Sequence, residues 1–179
     1  KHFDLTALGI LLSLFTGIRI GELCALKWSD IDLKGKILHI NKTLQRLTVF
    51  GKEKKSEIRI TSPKSETSVR DIPLPDFLVR MLSKYKHEDE DYVTTGNSKP
   101  TEPRCFTNRY KAFLKKANVP SLKFHALRHT FATNALQQSF DVKTLSELLG
   151  HSSIETTRIY LITTGLEHQK QIDSMRLVS

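Results

Sequence analysis

Cysteine is scarce in this sequence of 179 residues, and so are long apolar runs. The two cysteines, Cys24 and Cys105, lie among apolar neighbours, and their spacing indicates neither a disulfide framework nor a zinc cluster. This scarcity fits a reducing compartment, so we expect a cytoplasmic protein. The longest apolar run, residues 5–18, is shorter than the roughly 20 residues that span a bilayer, and no signal peptide is visible. We therefore expect no membrane association.

Acidic residues are few relative to basic ones. The chain has 28 lysines and arginines against 19 aspartates and glutamates, which gives a formal net charge of +9. This excess favours a polyanionic partner such as nucleic acid, although charge alone is a weak signal because many soluble proteins are basic. The hydrophobic fraction of 39% and the charged fraction of 26% are typical of a globular protein and exclude wholesale disorder.

The order of apolar periodicities predicts a mostly α-helical α+β domain with one small antiparallel β-sheet near its N-terminal part. A helix over residues 3–15 is apolar enough to be buried nearly all round, and a short helix follows Gly17 over 19–28. Residues 86–103 are predicted to form a polar loop whose acidic run faces solvent. The predicted strands are 36–40, 44–50, 57–60 and 69–74. The other predicted helices are 76–87, 104–117, 125–138, 143–149, 153–161 and 166–176.

One of these helices places three basic side chains on the same side. His125, Arg128 and His129 are spaced i, i+3 and i+4, so they can meet a common anionic or metallic partner. The histidine spacing suits a zinc pair, but Ala126 stands where a metalloprotease has its glutamate base, and no third ligand has a recognisable spacing. Arg128 would also be an uncompensated cation beside the ion. We therefore predict no metal; histidines that simply pack and hydrogen-bond are the more ordinary alternative.

A second interpretation is a helix-turn-helix DNA-binding regulator without catalysis, built from residues 141–160. Asp141 can cap the first helix and Gly150 can end it. Ser152 with Glu155 can form a capping box for the second helix. This interpretation leaves most of the chain without a role, and we keep it as the alternative function.

Five motifs account for more of the chain: TGIRIGEL (16–23), SPKSETSVRDIPL (62–74), HALRHTFAT (125–133), LGHSS (149–153) and TTRIYL (156–161). In these motifs and their order, the sequence resembles the tyrosine recombinases, the phage and transposon integrase family. The offsets of 23 residues from Arg128 to His151 and of 9 residues from His151 to Tyr160 are near the family's pattern. Each motif alone is a weak signal, but five in order over most of the chain are specific.

The resemblance implies site-specific DNA recombination or integration, in which Tyr160 attacks a backbone phosphate of double-stranded DNA. The products are a 3′-phosphotyrosyl link and a free 5′-hydroxyl, so the energy of the broken bond is kept and neither ATP nor any cofactor is expected. Arg19 and Arg128 are implied as the cations that bind the phosphate, a task for which a planar guanidinium is suited. The ordinary alternative for Tyr160 is a core tyrosine, since Ile159 and Leu161 flank it.

The resemblance assigns further roles around the same phosphate. His125 is expected to hydrogen-bond the phosphate and to take the proton of the tyrosine, and His151 to donate to a non-bridging oxygen. Lys64, on a β-hairpin, is expected to protonate the leaving 5′-oxygen; the alternative is that it only contacts phosphate. Glu22 is implied as the acidic residue that supports the first of the two arginines, and His129 lies behind the phosphate-binding set. The residues expected to bind DNA are Arg19, Lys64, Arg128 and His151.

The resemblance also implies an assembly and a biological setting. Residues 1–179 are expected to be the catalytic domain alone, with the N-terminal core-binding and arm-binding domains absent from this fragment. We expect a monomer in solution, a tetramer on DNA with accessory DNA-bending proteins, and a nucleoid location when bound. The long hairpin favours an integrase of a phage or conjugative transposon over a resolvase or invertase. The tail over 165–179, with Leu166, Ile172 and Met175, is expected to dock on a neighbouring subunit or on its own domain.

Overall fold

A computed structural model describes residues 4–48, 56–63 and 66–164 of the chain. These residues form seven α-helices and five β-strands, with two single-turn 3-10 helices between them. The α-helices are α1 (Leu5–Thr16), α2 (Ile20–Ala25), α3 (Asp76–Lys84), α4 (Pro103–Lys116), α5 (His125–Gln137), α6 (Val142–Leu149) and α7 (Glu155–Thr164). The strands are β1 (Ile31–Asp32), β2 (Ile37–Ile40), β3 (Thr43–Thr48), β4 (Ser56–Thr61) and β5 (Arg70–Pro73). The prediction of a mostly helical α+β domain with a small antiparallel sheet is confirmed.

α1 is a buried helix whose two ends are fixed by the local sequence. The Asp4 side chain accepts a hydrogen bond from the Thr6 backbone N–H at 2.8 Å and caps the first turn. Gly17 adopts a left-handed conformation with φ +66° and ends the helix, a geometry that glycine reaches without steric cost. Leu8 and Leu12 are fully buried, as predicted for this segment. The chain therefore turns sharply as soon as α1 ends.

The strands form two separate antiparallel ladders. β2 lies between β1 and β5, and its Leu38 pairs with Ile72 of β5 in the buried interior. In the part of the chain that the structure describes, β3 pairs only with β4, in a register that sets Thr43 opposite Thr61. β1 was not among the predicted strands, because two residues are too few to show an alternating pattern.

The segment 86–103 is polar in sequence, yet its middle packs into the core. Tyr92 and Val93 are buried, and the Val93 N–H donates to the Leu26 carbonyl at 3.0 Å. The acidic run faces solvent as predicted, and its Glu90 pairs with Lys27 at 2.6 Å. The buried pair is too short to give a periodic signal, so only the neighbouring chain, which supplies backbone partners, shows that it is structured.

Two clusters of buried side chains organise the fold. The first core joins α1–α4 with β1, β2, β3 and β5, and it contains the buried Trp28. The second core lies between α5, α6 and α7. α5 links the two, because Phe124 at its start packs edge-on against Phe106 and Tyr110 of the first core, whereas Leu136 belongs to the second. The junction of the two cores carries most of the predicted site residues.

Within residues 4–48, 56–63 and 66–164, none of the helices combines the length and the apolar character needed to cross a membrane. The predicted helix 166–176, with Leu166, Ile172 and Met175, lies outside the described residues. Residues 49–55 of the predicted hairpin and Lys64 also lie outside them. The docking of the tail therefore stays a prediction.

Candidate active site

Arg19 lies at the start of α2, directly after the turn that ends α1. Its backbone N–H donates to Glu22 Oε2 at 2.8 Å, and this capping contact fixes where the helix begins. The Arg19 side chain is 39% exposed and donates through Nη1 to Glu22 Oε1 at 3.0 Å. The predicted ion pair between these residues is therefore present. It holds a partly exposed guanidinium beside the junction of the two cores.

Glu22 is also held by Arg70 of β5, a residue that the sequence analysis did not single out. Arg70 donates to both carboxylate oxygens, from Nη1 to Oε1 at 3.1 Å and from Nη2 to Oε2 at 2.9 Å. Burial alone would raise the pKa of the Glu22 carboxyl, but the hydrogen bond and charge of Arg70, followed by those of Arg19, hold that pKa below its usual value. Two arginines thus share one buried carboxylate. The only sequence signal for Arg70 was its place in the motif over 62–74, six residues after Lys64.

Arg128, the middle residue of the basic trio on α5, is turned inward and is only 2% exposed. Its Nη1 donates to the Gly17 carbonyl at 2.7 Å, and its Nη2 donates to the Leu149 carbonyl at 2.6 Å. Burial, followed by the charges of Arg19 and Arg70, lowers the pKa of Arg128 to about 10, so the guanidinium stays charged at neutral pH. Arg128 therefore joins the turn after α1 to the end of α6.

The two histidines of α5 extend from this arginine toward α7. The His125 and His129 rings meet edge to face with centroids 5.3 Å apart, and the His129 ring meets the Tyr160 ring at 4.9 Å. Burial, followed by the charge of Arg128, lowers the pKa of His125, so its imidazole is neutral at pH 7. His129 contacts the tyrosine and the other histidine, a position compatible with its predicted supporting role.

His151 follows Gly150, whose left-handed conformation ends α6, so the helix end sets the position of this histidine. Its Nδ1 lies 2.8 Å from Thr157 Oγ1, and Thr157 is fully buried. Burial, followed by the charges of Arg128 and Arg19, lowers the pKa of His151 to about 4. The imidazole is therefore neutral at pH 7 and offers a single N–H donor. The sequence analysis did not anticipate Thr157.

Tyr160 lies one turn after Thr157 on α7, and its side chain is 5% exposed. Its ring is parallel to the His151 ring, with centroids 6.4 Å apart and an interplanar angle of 3°. Tyr160 also acts electrostatically on Arg128, in the direction that opposes the lowering of the pKa of that guanidinium. Tyr160 is thus a core residue, as the ordinary alternative required, and it also lies beside the predicted site residues of its own chain.

A cavity of about 430 Å³ opens beside Arg19, His125 and Arg128. Lys111 and Lys123 also line it, and neither was predicted, because the sequence gives no means of separating them from the many other lysines. Among the described residues, the lining includes several cations and no carboxylate, which suits a polyanion. They are Ile18, Arg19, Ile20, Thr107, Lys111, Lys123, Phe124, His125 and Arg128.

The ends of α6 and α7 follow the prediction with one correction. Asp141 caps α6 and Gly150 ends it, as predicted. The turn before α7 is made by Ser153, whose Oγ accepts from the Glu155 N–H at 3.3 Å, and not by the predicted capping box of Ser152. Ser153 lies one residue closer to the helix, so its short side chain reaches an N–H of the first turn.

Lys64 lies outside the described residues, so its place relative to a phosphate stays a prediction. Arg158 is exposed and pairs with Glu155 at 3.1 Å, and Lys143 is exposed as well. Across residues 4–48, 56–63 and 66–164, no three or more His, Cys, Asp or Glu side chains group as ligands for a metal ion.

Comparison with known proteins gives the same family as the motifs. The sequence profile of the Phage integrase family matches residues 4–164. A tyrosine recombinase XerC-like protein of Caldanaerobacter subterraneus subsp. tengcongensis is 34% identical over 166 residues, covering 82% of this chain and 42% of the relative. The ICEBs1 integrase of Bacillus subtilis is 26% identical over 159 residues, covering 82% of this chain and 41% of the relative.

A solved structure supports the fold. The Tn1549 transposon integrase, in complex with transposon right end DNA, matches with a TM-score of 0.73 and 22% sequence identity, covering 97% of this chain and 61% of that one. At this level of identity the match concerns the fold alone. The chain spans about half the length of the curated relatives it matches.

Proposed function

The chain belongs to the phage integrase family, and we propose that it cleaves and rejoins double-stranded DNA through a phosphotyrosyl bond at Tyr160. The observation that carries this proposal is the convergence of two arginines, two histidines and a tyrosine at the junction of the two cores. These residues come from α5, α7, the start of α2 and the end of α6, and they are Arg19, His125, Arg128, His151 and Tyr160.

The two arginines supply the positive charge that the reaction requires. A phosphate under attack by a phenol collects negative charge on its non-bridging oxygens, and fixed cations stabilise that charge. Each guanidinium has five N–H donors. Arg19 uses one for Glu22 and one for the Gly150 carbonyl, and Arg128 uses one on each Nη for a carbonyl. With respect to residues 4–48, 56–63 and 66–164, three donors therefore remain on each arginine for phosphate oxygens.

The two histidines act as neutral imidazoles because the pKa of each is lowered. A free phenol has a pKa of about 10 and is a weak nucleophile until its proton is removed, so Tyr160 needs a base. We assign the removal of the Tyr160 hydroxyl proton to His125, which acts as the base. His151 donates its single N–H to a non-bridging oxygen, while its Nδ1 accepts from the Thr157 hydroxyl.

The overall step is balanced without a cofactor. The Tyr160 oxygen bonds to phosphorus, the bond from phosphorus to the 5′-oxygen breaks, and that oxygen takes a proton from Lys64. Attack of a 5′-hydroxyl on the phosphotyrosine reverses the step and rejoins a strand, so no ATP is consumed. Because Lys64 lies outside the described residues, its role rests on the motif over 62–74 alone.

The setting of the reaction is likewise proposed. We assign residues 1–179 to a catalytic domain that works on DNA as part of a tetramer, with accessory DNA-bending proteins. The named relatives are the ICEBs1 integrase and a tyrosine recombinase XerC-like protein, and the matched structure is a transposon integrase in complex with transposon right end DNA. We place this chain with integrases of phages or conjugative transposons.

A regulator that binds without cutting is not favoured. The α6–α7 pair, which would be its DNA-reading unit, buries Leu145, Leu149 and Tyr160 in the second core. Arg128 and Arg19 hold the end of α6 through the carbonyls of Leu149 and Gly150. The α6–α7 pair is therefore part of the arginine and histidine cluster. DNA binding by a helix-turn-helix alone does not require such a cluster.

The test uses nicked duplexes whose short 5′ fragment diffuses away after cleavage and traps the covalent state. The protein and its Tyr160→Phe variant are run on a denaturing gel after reaction without added metal. We expect an adduct with the first and none with the second, and sequencing of the linked peptide should identify Tyr160. A linked residue other than Tyr160, or an equal adduct with both proteins, would overturn the assignment.

A further inference from the structure

Three arginines hold three successive carbonyls at the end of α6. Arg70 Nε donates to the Leu148 carbonyl at 2.6 Å, and Arg128 Nη2 to the Leu149 carbonyl at 2.6 Å. Arg19 Nη2 donates to the Gly150 carbonyl at 3.0 Å. The last carbonyls of a helix have no partner within the helix and form the negative end of its dipole, so they are natural acceptors for cations.

Arg70 differs from the other two arginines because its donors are nearly all used inside the protein. It is 6% exposed. Besides the Leu148 carbonyl, its guanidinium donates to both oxygens of Glu22 and to the Ser68 carbonyl at 3.0 Å. Four of its five N–H groups are therefore occupied. Arg70 therefore cannot donate two hydrogen bonds to one phosphate, whereas Arg19 and Arg128 still can.

The space around Arg70 is filled as well. A Cβ added to Gly150 would lie 2.9 Å from Arg70 Nη1 and 3.1 Å from the Thr67 carbonyl, both tighter than ordinary contacts. Gly150 also has φ +63°, which favours glycine. The backbone at Gly150, immediately before His151, therefore lies so close to Arg70 that a side chain at this position would be crowded. Arg70 is packed against the segment that carries this histidine.

We propose that Arg70 is a positioning residue for the DNA-cleaving site, and this rests on the function proposed above. Through Glu22 it fixes the orientation of Arg19, and through the Leu148 carbonyl it fixes the end of α6 and with it His151. Without Arg70, Arg19 is the remaining cation beside the carboxylate of Glu22. Both Nη atoms of Arg19 then bond to that carboxylate. The donors of Arg19 then turn away from the phosphate.

The first experiment compares Arg70→Met and Arg70→Lys with the unchanged protein on the nicked duplexes. At saturating DNA, we expect the rate of adduct formation to fall about 100-fold in Arg70→Met, because misplacement of a catalytic group by about 1 Å has an effect of this size. Lysine restores one bond to Glu22 and should recover part of the rate. The dissociation constant for DNA should change less than about threefold, since four of the five N–H groups of Arg70 already have partners inside the protein.

A double-mutant cycle separates positioning from general damage. In an Arg19→Lys background the fork of Arg19 is already lost, so Arg70→Met should reduce the remaining rate by much less than in the unchanged protein. An equal fold-loss in both backgrounds would overturn the proposal. The matched control is Lys42→Met, which breaks the pair between Lys42 and the buried Asp30 at 2.8 Å and contacts none of the site residues. Its rate of cleavage per folded molecule should not change.

A measurement without cleavage keeps the two proposals distinct. Nuclear magnetic resonance of ¹⁵N-labelled, DNA-free protein reports how freely the Arg19 guanidinium rotates. We expect restricted rotation in the unchanged protein and faster or reoriented Nη signals in Arg70→Met, with Lys42→Met unaltered. If neither the unchanged protein nor any variant forms an adduct, but the Arg19 signals change in Arg70→Met, then the proposed DNA cleavage fails. The positioning of Arg19 by Arg70 then still stands. Unaltered Arg19 signals in a folded Arg70→Met protein would overturn the positioning role.

Discussion

The two cores differ in amino-acid composition and in the secondary-structure elements that form them. The first joins helices to strands around large aromatic side chains such as Trp28, Phe106 and Tyr110. The second consists of alanine and leucine side chains between three helices, packed around Tyr160. The larger, mixed core thus surrounds aromatic side chains, whereas the small helical core holds the tyrosine that we propose as the nucleophile.

The junction between the cores is held by polar contacts in addition to the apolar packing of α5. Arg128 reaches from the Gly17 carbonyl on one side to the Leu149 carbonyl on the other, and Arg19 reaches across to the Gly150 carbonyl. Buried charges of this kind stabilise an arrangement only when each has its partners, so a single loss is felt by the whole set. The comparison therefore predicts that changes at the junction alter the chemistry more than changes in either core.

The largest effect is expected from Arg128→Lys. An ammonium keeps the charge but cannot bond two carbonyls and still offer a fork of donors to a phosphate. We expect adduct formation at saturating DNA to fall at least about 100-fold, the scale on which loss of one oriented donor acts. Arg80→Lys, an exposed change on α3, is the control. A rate within tenfold of the unchanged protein would show that Arg128 only joins the two cores.

Gly17→Ala should cause the next largest effect, on stability. An added Cβ would lie 2.6 Å from the Phe131 ring and 2.8 Å from Leu149 Cδ2, and φ +66° is strained for alanine. We expect the free energy of unfolding in urea to fall by about 2–3 kcal/mol. Gly35→Ala is the control, since its Cβ would meet the end of one exposed side chain. Equal losses in both variants would argue against a tightly fitted junction.

Thr157→Val tests the link between His151 and the helix that carries Tyr160. Valine keeps the buried shape but removes the hydroxyl that bonds His151 Nδ1. We expect adduct formation to slow by about fivefold, the value of one hydrogen bond, with DNA affinity unchanged. Thr157→Ser keeps the hydroxyl and should retain most of the rate. If valine and serine behave alike, the hydroxyl does not orient the imidazole.

The smallest expected effect is the pH dependence of stability without DNA. The pKa of His151 is about 4 in the folded protein against about 6.5 in an unfolded chain, so the unfolded chain takes up a proton first as the pH falls. Stability from this group is complete above about pH 6.5 and declines toward pH 4. After discounting for partial exposure, we expect a loss of about 1 kcal/mol between pH 7.5 and pH 5 in urea unfolding. The His151→Gln variant should lose less, and an equal slope would contradict the assignment.

Much of the fold was predictable because its signals are local. The caps Asp4 and Asp141 and the glycines at 17 and 150 act within a few residues, and the helix and strand periods of the long segments are regular. The short strand β1 and the buried part of 86–103 were missed since neither is long enough to show a period. Both are ordered by backbone contacts with distant segments.

The candidate site was predictable where the family motifs name a residue, and not where a contact crosses the chain. Arg19, His125, Arg128, His151 and Tyr160 stand at motif positions, and the structure brings them together. Arg70 stands in a motif but reaches Glu22 from 48 residues away, and its bond to the Leu148 carbonyl spans 78 residues. No pattern of neighbouring residues reports such a pairing.

Local sequence sets which residue types are available and where most of the helices begin and end, because hydrophobic period and capping are short-range effects. It also gives a tyrosine, two histidines and two arginines the spacing of a known family. Packing between distant segments buries Arg128, brings two arginines to Glu22 and brings three arginines to the end of α6. These features depend on where distant segments pack, and burial and charge pairing are properties of that packing alone.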